Sequence, residues 1–365
     1  MTPLPVLRAK PRPRHLPFNI NFTLLTFFFL TCNGSSLNLS RIEELCQAGF
    51  RNLLKAQFLT WNFTAGCSYV QPGEVHAMWT SEIDPLFGYY RAMQVAFLKR
   101  LVTSGYLKHS GIFFFITADE ATYPSELAKQ MYLSGTPLTS HSHKRPIQQE
   151  VILSPDFHFI ENEGYHSLIS EMQNSGKKWH MRVKKVFWRG STTGPGPCEE
   201  NLRVRACAAA RSAAWCDVRV SKLLQFCDQS HVPAVSHLLS PHVHESNWTN
   251  YRGILDIDGN VNAWGLFWRL ASESVVFRVE SEYVNSYSLA MKPWVHYIPI
   301  MRNLSDLLDK TGLITSTSVV DTARLFSIQR RAKILTLKFT YDRVLERFAS
   351  SLELCWTRWN ASLTP

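Results

Sequence analysis

Along the chain, short and almost wholly apolar runs alternate with segments whose apolar residues recur every three or four positions. The runs "GIFFFIT" (111–117), "VKKVFW" (183–188), "YRGILDI" (251–257), "SVVFRV" (274–279) and "WVHYIPI" (294–300) are rich in β-branched and aromatic residues and bounded by turn formers, which predicts strands. Between them, "DPLFGYYRAMQVAFLKRLV" and "LFWRLASE" read as helices. Strands of this kind interleaved with helices imply a parallel sheet with helical cover. Near the C-terminus, Leu325, Ile328, Ala332, Leu335 and Phe339 keep helical spacing, and Ser318 with Asp321 forms a capping box at the start. The polar stretch "QNSGKKWHMR" separates two α/β halves near Lys177, which divides the chain into 37–177, 178–318 and a helical segment, 319–365, that packs back on the body.

Residues 1–36 read as a targeting segment. Arg8, Lys10, Arg12 and Arg14 precede an apolar run from Leu16 to Thr31, and the small, polar "CNGSS" follows. As a helix that run reaches roughly 24 Å, short of the ~30 Å hydrocarbon core, so a cleaved signal peptide is favoured over a signal anchor. A membrane is therefore expected as a partner only if the segment is retained. Acceptor sequons at Asn33, Asn38, Asn62, Asn247, Asn303 and Asn360 fit a secretory route, as do eight cysteines with no C-x-x-C pair, which favour disulfides over zinc. At 365 residues, 45% hydrophobic and 19% charged, the chain can bury the cores of two domains. The formal charge of +10 is dispersed rather than gathered beside aromatics, and no nucleic-acid partner is expected.

The loop "RGSTTGPG" after the second run offers a cation at Arg189, hydroxyls at Ser191, Thr192 and Thr193, and glycines at 190, 194 and 196 that permit close backbone approach. Arg203 and Arg205 follow. Those are the parts of an anion site, although on composition alone a surface turn is the commoner use of such a loop. "LDIDGN" fails as a calcium loop, because Val261 and Phe267 stand where glycine and glutamate belong. Asp256 and Asp258 also form a D-x-D, readable either as a metal-held diphosphate site or as a capped strand end. "FFFITADEATYP" puts Asp119 and Glu120 directly after a buried strand, where either acid can serve as a general base. The H-x-H pairs at His141/His143 and His242/His244 lack a nearby third ligand and read as loop residues, and His296 as packed core.

Taken in order, "VFWRGSTTG", "YRGILDIDGN", "LFWRLASESVVFRVES" and "MKPWVHYIP" resemble the protein O-glucosyltransferases and fungal capsule xylosyltransferases, glycosyltransferase family ninety. The resemblance covers roughly residues 150–302, with weaker similarity back to about 110. It implies a GT-B fold, two Rossmann-like halves facing a cleft, and inversion at the sugar carbon with no metal or other cofactor. The implied donor is UDP-glucose or UDP-xylose and the acceptor a glycan or glycoprotein of the endoplasmic reticulum or Golgi lumen. Carried over by motif, Arg189, Gly190, Ser191 and Thr192 line the diphosphate site and Arg203 neutralises the leaving UDP. Asp258, Gly259 and Asn260 approach the nucleotide and sugar, and Asp119, or Glu120 beside it, acts as base. Two departures keep a binding-only, catalytically degenerate member as the alternative. Gly265 falls where the animal enzymes carry an arginine, with Arg269 the nearest substitute, and Asp119 waits until Pro124 for the proline that usually follows sooner. The ending "NASLTP" is not a retrieval tetrapeptide, which keeps Golgi residence and secretion open.

Overall fold

The computed structural model describes residues 96–109, 111–116 and 125–363, together with Cys46, Met93 and three strands earlier in the chain. In the first half these strands are β1 (Phe28–Leu30), β2 (Ala65–Gln71) and β3 (Glu74–Trp79), followed by β4 (Gly111–Ile116), β5 (Leu138–Ser140), β6 (His143–Lys144) and β7 (Val151–Leu153). They form a mixed six-stranded sheet in the order β1-β3-β2-β4-β5-β7, with β6 outside it. The β4, β5 and β7 strands run parallel, as expected; β1, β3 and β2 add an antiparallel part that the apolar runs do not predict. Of the proposed targeting segment only β1 falls within the described residues, and no helix among them is long and apolar enough to cross a membrane.

The second half contributes β8 (Val183–Ser191), β9 (Cys216–Lys222), β10 (Tyr251–Asp256), β11 (Val275–Val279), β12 (Tyr283–Val284) and β13 (Ile298–Ile300). Five of these make an all-parallel sheet in the order β13-β11-β10-β8-β9. The β10 and β11 strands are buried at every position but the first of β10, the mark of a central parallel strand covered on both faces. Chain order reverses between β8 and β10, so the crevice beyond their carboxyl ends is the topological switch point, where open α/β sheets bind ligands. One predicted strand shrinks: Trp294 takes a left-handed φ of 61° and His296 Nδ1 accepts from Lys292 N–H at 2.9 Å, so "WVH" is a turn and only Ile298–Ile300 joins the sheet.

The helices named here are α1 (Ser125–Leu133), α2 (Phe157–Glu161), α3 (His166–Ser175), α4 (Leu202–Ala210), α5 (Leu266–Ala271), α6 (Val319–Thr336) and α7 (Tyr341–Leu363). Ser318 caps α6 as predicted, accepting from Asp321 N–H, and Leu325, Ile328, Ala332 and Leu335 are buried. Phe339 is buried too, but in the turn after α6, where the chain reverses into a further helix. That helix, α7, returns to the first half. Its Leu345, Phe348, Ala349, Leu352 and Trp356 complete a core with Phe97, Leu101, Phe113 and Ile152, and Trp356 Nε1 donates to Ile112 O at 3.1 Å. The core of the second half reaches back before Lys177 to include Phe159, Tyr165 and Met172.

The halves meet along a polar seam. The β6 and β12 strands pair antiparallel, Ser142 Oγ donates to Asn262 Oδ1 at 2.7 Å, and Tyr165 OH donates to Trp264 O at 3.0 Å. Asp156 caps α2 in the first half, accepting from Phe159 N–H at 2.8 Å, and burial pushes its carboxyl up from 3.8 to about 7. The folded carboxyl thus holds its proton more tightly than the unfolded one, so stability falls as pH rises from roughly 4 to 7, by up to ~1.4 kcal/mol per pH unit from this group. Asp156→Asn keeps a capping oxygen and removes the titration. Urea denaturation at pH 5 and pH 8 should therefore show a smaller drop for the variant than for the wild type; equal drops would mean that Asp156 ionises in the fold without cost.

Candidate active site

At the switch point the residues after β8 and β10 are drawn together by Arg203. The sequence places it early in α4, just after Asn201, whose side chain accepts from Arg203 and Val204 N–H while its own amide donates to Thr192 O at 3.0 Å. From there the Arg203 guanidinium spans both loops. Nε donates to Asp258 O at 2.9 Å, Nη1 to Ser191 O at 3.0 Å and to Thr193 Oγ1 at 2.7 Å, and Nη2 to Ile257 O at 3.2 Å. Burial, and the nearby Arg269, push its pKa down to about 10, so it stays charged at neutral pH. A guanidinium has five N–H groups; four contacts here leave one to spare.

Arg203 is thus first a clamp. Thr193, having accepted from Arg203, keeps its own hydroxyl proton to donate, and Ser191 Oγ lies 3.4 Å away beside it. Gly259 packs directly on the clamp: a Cβ there would lie 2.8 Å from Thr193 Oγ1 and 2.9 Å from Arg203 Nη2. Gly259→Ala should cost about 1–3 kcal/mol of stability through that overlap. A urea melt unchanged from wild type would show that the clamp yields without loss.

Two predicted donor residues are spent on the fold instead. Arg189 pairs with Asp217 on the neighbouring strand at 2.7 Å, donates to the carbonyls of Trp188 and Asp217, and lies over the Phe187 ring. Thr192 is buried, and its hydroxyl both donates to Leu224 O and accepts from Leu224 N–H, at 2.9 and 2.8 Å. That double bond holds the loop to the segment after β9. The disulfide between Cys198 and Cys227 reinforces the same junction, as does Gly194 N–H donating to Gln225 Oε1. Gly190 lies against the Trp188 indole, where a Cβ would overlap it.

At the end of β10, Asp256 is buried between two arginines. Oδ1 accepts from Arg269 Nη1 at 2.5 Å, and Oδ2 stands 3.6 Å from Arg278 Nε. Arg269 lies between Trp248 and Trp268, its guanidinium 5.4 and 5.0 Å from their rings. A Cβ on Gly265 would come within 2.9 Å of Arg269 Nη2, so the glycine opens the space that this guanidinium fills. The D-x-D reading of Asp256 and Asp258 as joint metal ligands meets this directly, since a divalent cation there would face two guanidiniums. Asp258 is also buried. Burial raises its carboxyl to about 6, against the opposing pull of Arg278. Asn260 follows Gly259 in the same turn, and Asn262 holds that turn to the first half.

Asp119 and Glu120 lie outside the described residues. What precedes them is described: β4 runs parallel to β5, and the residue after the next, Ser142, bonds the second half, so the carboxyl ends of these strands point toward the seam. The H-x-H residues serve local structure. His143 bonds Lys144 O and Gln148, and His244 caps the turn at Glu245–Asn250. Among the described residues no group of three or more His, Cys, Asp or Glu is placed to hold a metal. Sequence reasoning missed Asn201 and Asn262 and did not assign Asp256 its arginines. The one local signal was the charged residue inside the apolar run "VVFRV".

Among curated relatives, protein O-glucosyltransferase 2 of Danio rerio is 33% identical over 153 residues, 41% of this chain and 29% of that protein. Protein O-glucosyltransferase 3 of Mus musculus is 28% identical over 145 residues, 40% of this chain and 27% of that protein. The chain thus spans less than a third of the length of these relatives. A crystal structure of a glycosyltransferase from Rickettsia africae ESF-5 aligns with a TM-score of 0.36 at 10% identity, over 65% of this chain and 68% of that one. The glycosyl transferase family 90 model matches residues 113–318, from β4 to the cap of α6, and takes in every strand of the second half. With more than half of its length accounted for in this way, the chain belongs to glycosyl transferase family 90.

Proposed function

We propose that the chain is an inverting, metal-independent glycosyltransferase that moves glucose or xylose from a UDP-sugar to a hydroxyl of a glycoprotein or glycan in the secretory lumen. The observation that carries this reading is the charge at the switch point. Among the described residues, Arg203, Arg269 and Arg278 stand with two carboxylates, Asp256 and Asp258, leaving a net positive site beside the hydroxyls of Ser191 and Thr193. Such a site suits a diphosphate that gains negative charge as it leaves. In the reaction, the base in the first half takes the acceptor hydroxyl's proton and the oxygen attacks the sugar's anomeric carbon from the face opposite the diphosphate. The bond from that carbon to the β-phosphate oxygen breaks, and UDP departs with the electron pair. Asp256, already held by two arginines, supports the absence of a metal from this scheme, and the names of the curated relatives support a protein acceptor.

The test is UDP release from a panel of UDP-sugars by the full chain secreted from a eukaryotic host, with and without EDTA. Release from one donor that survives EDTA supports the reading and identifies the sugar. Release abolished by EDTA would return Asp258 to a metal, and nucleotide binding without turnover on any donor would favour the degenerate member. Arg269 in the space opened by Gly265 weighs against that last outcome, since the cation is relocated rather than missing.

A further inference from the structure

Arg278 is an arginine inside a strand that is buried at every position, and it is itself only 7% exposed. Taking a guanidinium out of water costs several kcal/mol unless partners replace the water. Arg189, Arg252 and Arg269 each leave Nε without a partner among the described residues but make at least one hydrogen bond, and Arg182 and Arg203 make several. Arg182 donates to Lys177 O, Ser272 O and Ser274 Oγ; Arg203 has its four contacts. Arg278 has no such set. Its ion-pair partner, Asp256, stands 3.6 Å from Nε without a hydrogen bond, and that carboxylate is shared with Arg269 on its other oxygen. Neither Nε nor Nη2 has a hydrogen-bond partner among the described residues, and the Tyr297 ring lies 5.8 Å from the guanidinium carbon. One carboxylate for two guanidiniums leaves one positive charge in excess.

The position of that excess is informative. Arg278 is the register partner of Asp256 across β10 and β11, so it stands at the carboxyl end of the sheet, beside the switch point. It is close enough to Asp258 to oppose the rise in that carboxyl's pKa. Arg203, by contrast, has spent four N–H groups on holding the two loops. Of these two, Arg278 has the unspent donors and is the better suited to grip a ligand with several anionic oxygens.

We propose that Arg278 is a ligand-binding residue that donates to the diphosphate of the nucleotide donor, with Asp256 as the positioning residue that holds it and Arg269 in register. This rests on the donor-site reading above and adds the group that neutralises the leaving charge, a role that motif carry-over assigns to Arg203. Calorimetric titration of the full secreted chain with UDP, paired with ligand-observed NMR of uridine, separates the two claims. Arg278→Met should raise the Kd for UDP roughly 10- to 100-fold, the loss of a charged hydrogen bond or two. Uridine should bind as in the wild type, and Arg278→Lys should recover part of the UDP affinity. Unchanged UDP affinity in Arg278→Met overturns the proposal, and equal losses for UDP and uridine would make Arg278 structural only. A wild-type protein that binds no UDP would remove the donor-site reading itself, and this proposal with it.

Discussion

Asp119→Asn lowers turnover by about 10²–10⁴-fold while leaving the Kd for UDP near the wild-type value, if this acid takes the acceptor's proton. The expectation rests on topology. The β4 strand ends at Ile116, and its parallel neighbour β5 ends at Ser140 and leads directly into the Ser142 contact with Asn262 of the second half. The described strands thus end toward the seam, and the sequence puts Asp119 three residues beyond β4. An amide in its place keeps the shape and removes the basicity, so the loss should appear in kcat and not in nucleotide binding. UDP release under saturating donor is the measurement. Full turnover in Asp119→Asn, with collapse in Glu120→Gln, would transfer the role to Glu120; full turnover in both would remove the base from this loop.

The largest effect on stability is expected at Asp256. Asp256→Ala leaves Arg269 and Arg278 buried beside each other with no carboxylate between them, and breaking a buried ion pair on one side costs about 3–5 kcal/mol. The loss is not one contact's energy. It is the desolvation of two guanidiniums that the carboxylate had offset, plus the repulsion between them. Asp256→Asn, which can still accept from Arg269 but carries no charge, should fall between the wild type and alanine. Urea denaturation at neutral pH reads both. A loss below about 1 kcal/mol for alanine would mean that the arginines already draw on water, and that the site is wetter than their exposures of 8% and 7% indicate.

The clamp, the shared carboxylate and the seam have one thing in common: each joins residues far apart in the chain. Arg203 meets carbonyls 12, 54 and 55 residues away, and Ser142 meets a side chain 120 residues on. Motif reading assigned Arg189 and Thr192 to the ligand because they adjoin Ser191, yet their nearest acceptors, Asp217 and Leu224, arrive from the next strand and the loop beyond it. Adjacency in sequence carried no information about that competition.

What the chain declares by itself are properties of single segments. Largely apolar runs such as "GILDI" and "SVVF" must be buried on both faces whatever surrounds them, so the parallel sheet and the cap at Ser318 were legible from pattern alone. The hydroxyl and glycine loop after β8 carries the parts of an anion site for the same local reason, and equally those of a surface turn. Only the tertiary structure decided which cations remain for a ligand. Several arginines converge on a few carboxylates and carbonyls, and which of them are satisfied depends on three-dimensional distances that no spacing along the sequence encodes. Arg189 gave both its Nη groups to Trp188 and Asp217, Arg203 became a clamp, and Arg278 kept Nε and Nη2. In a buried site an arginine's role is set by the acceptors within reach of its guanidinium, and those are brought there by the fold.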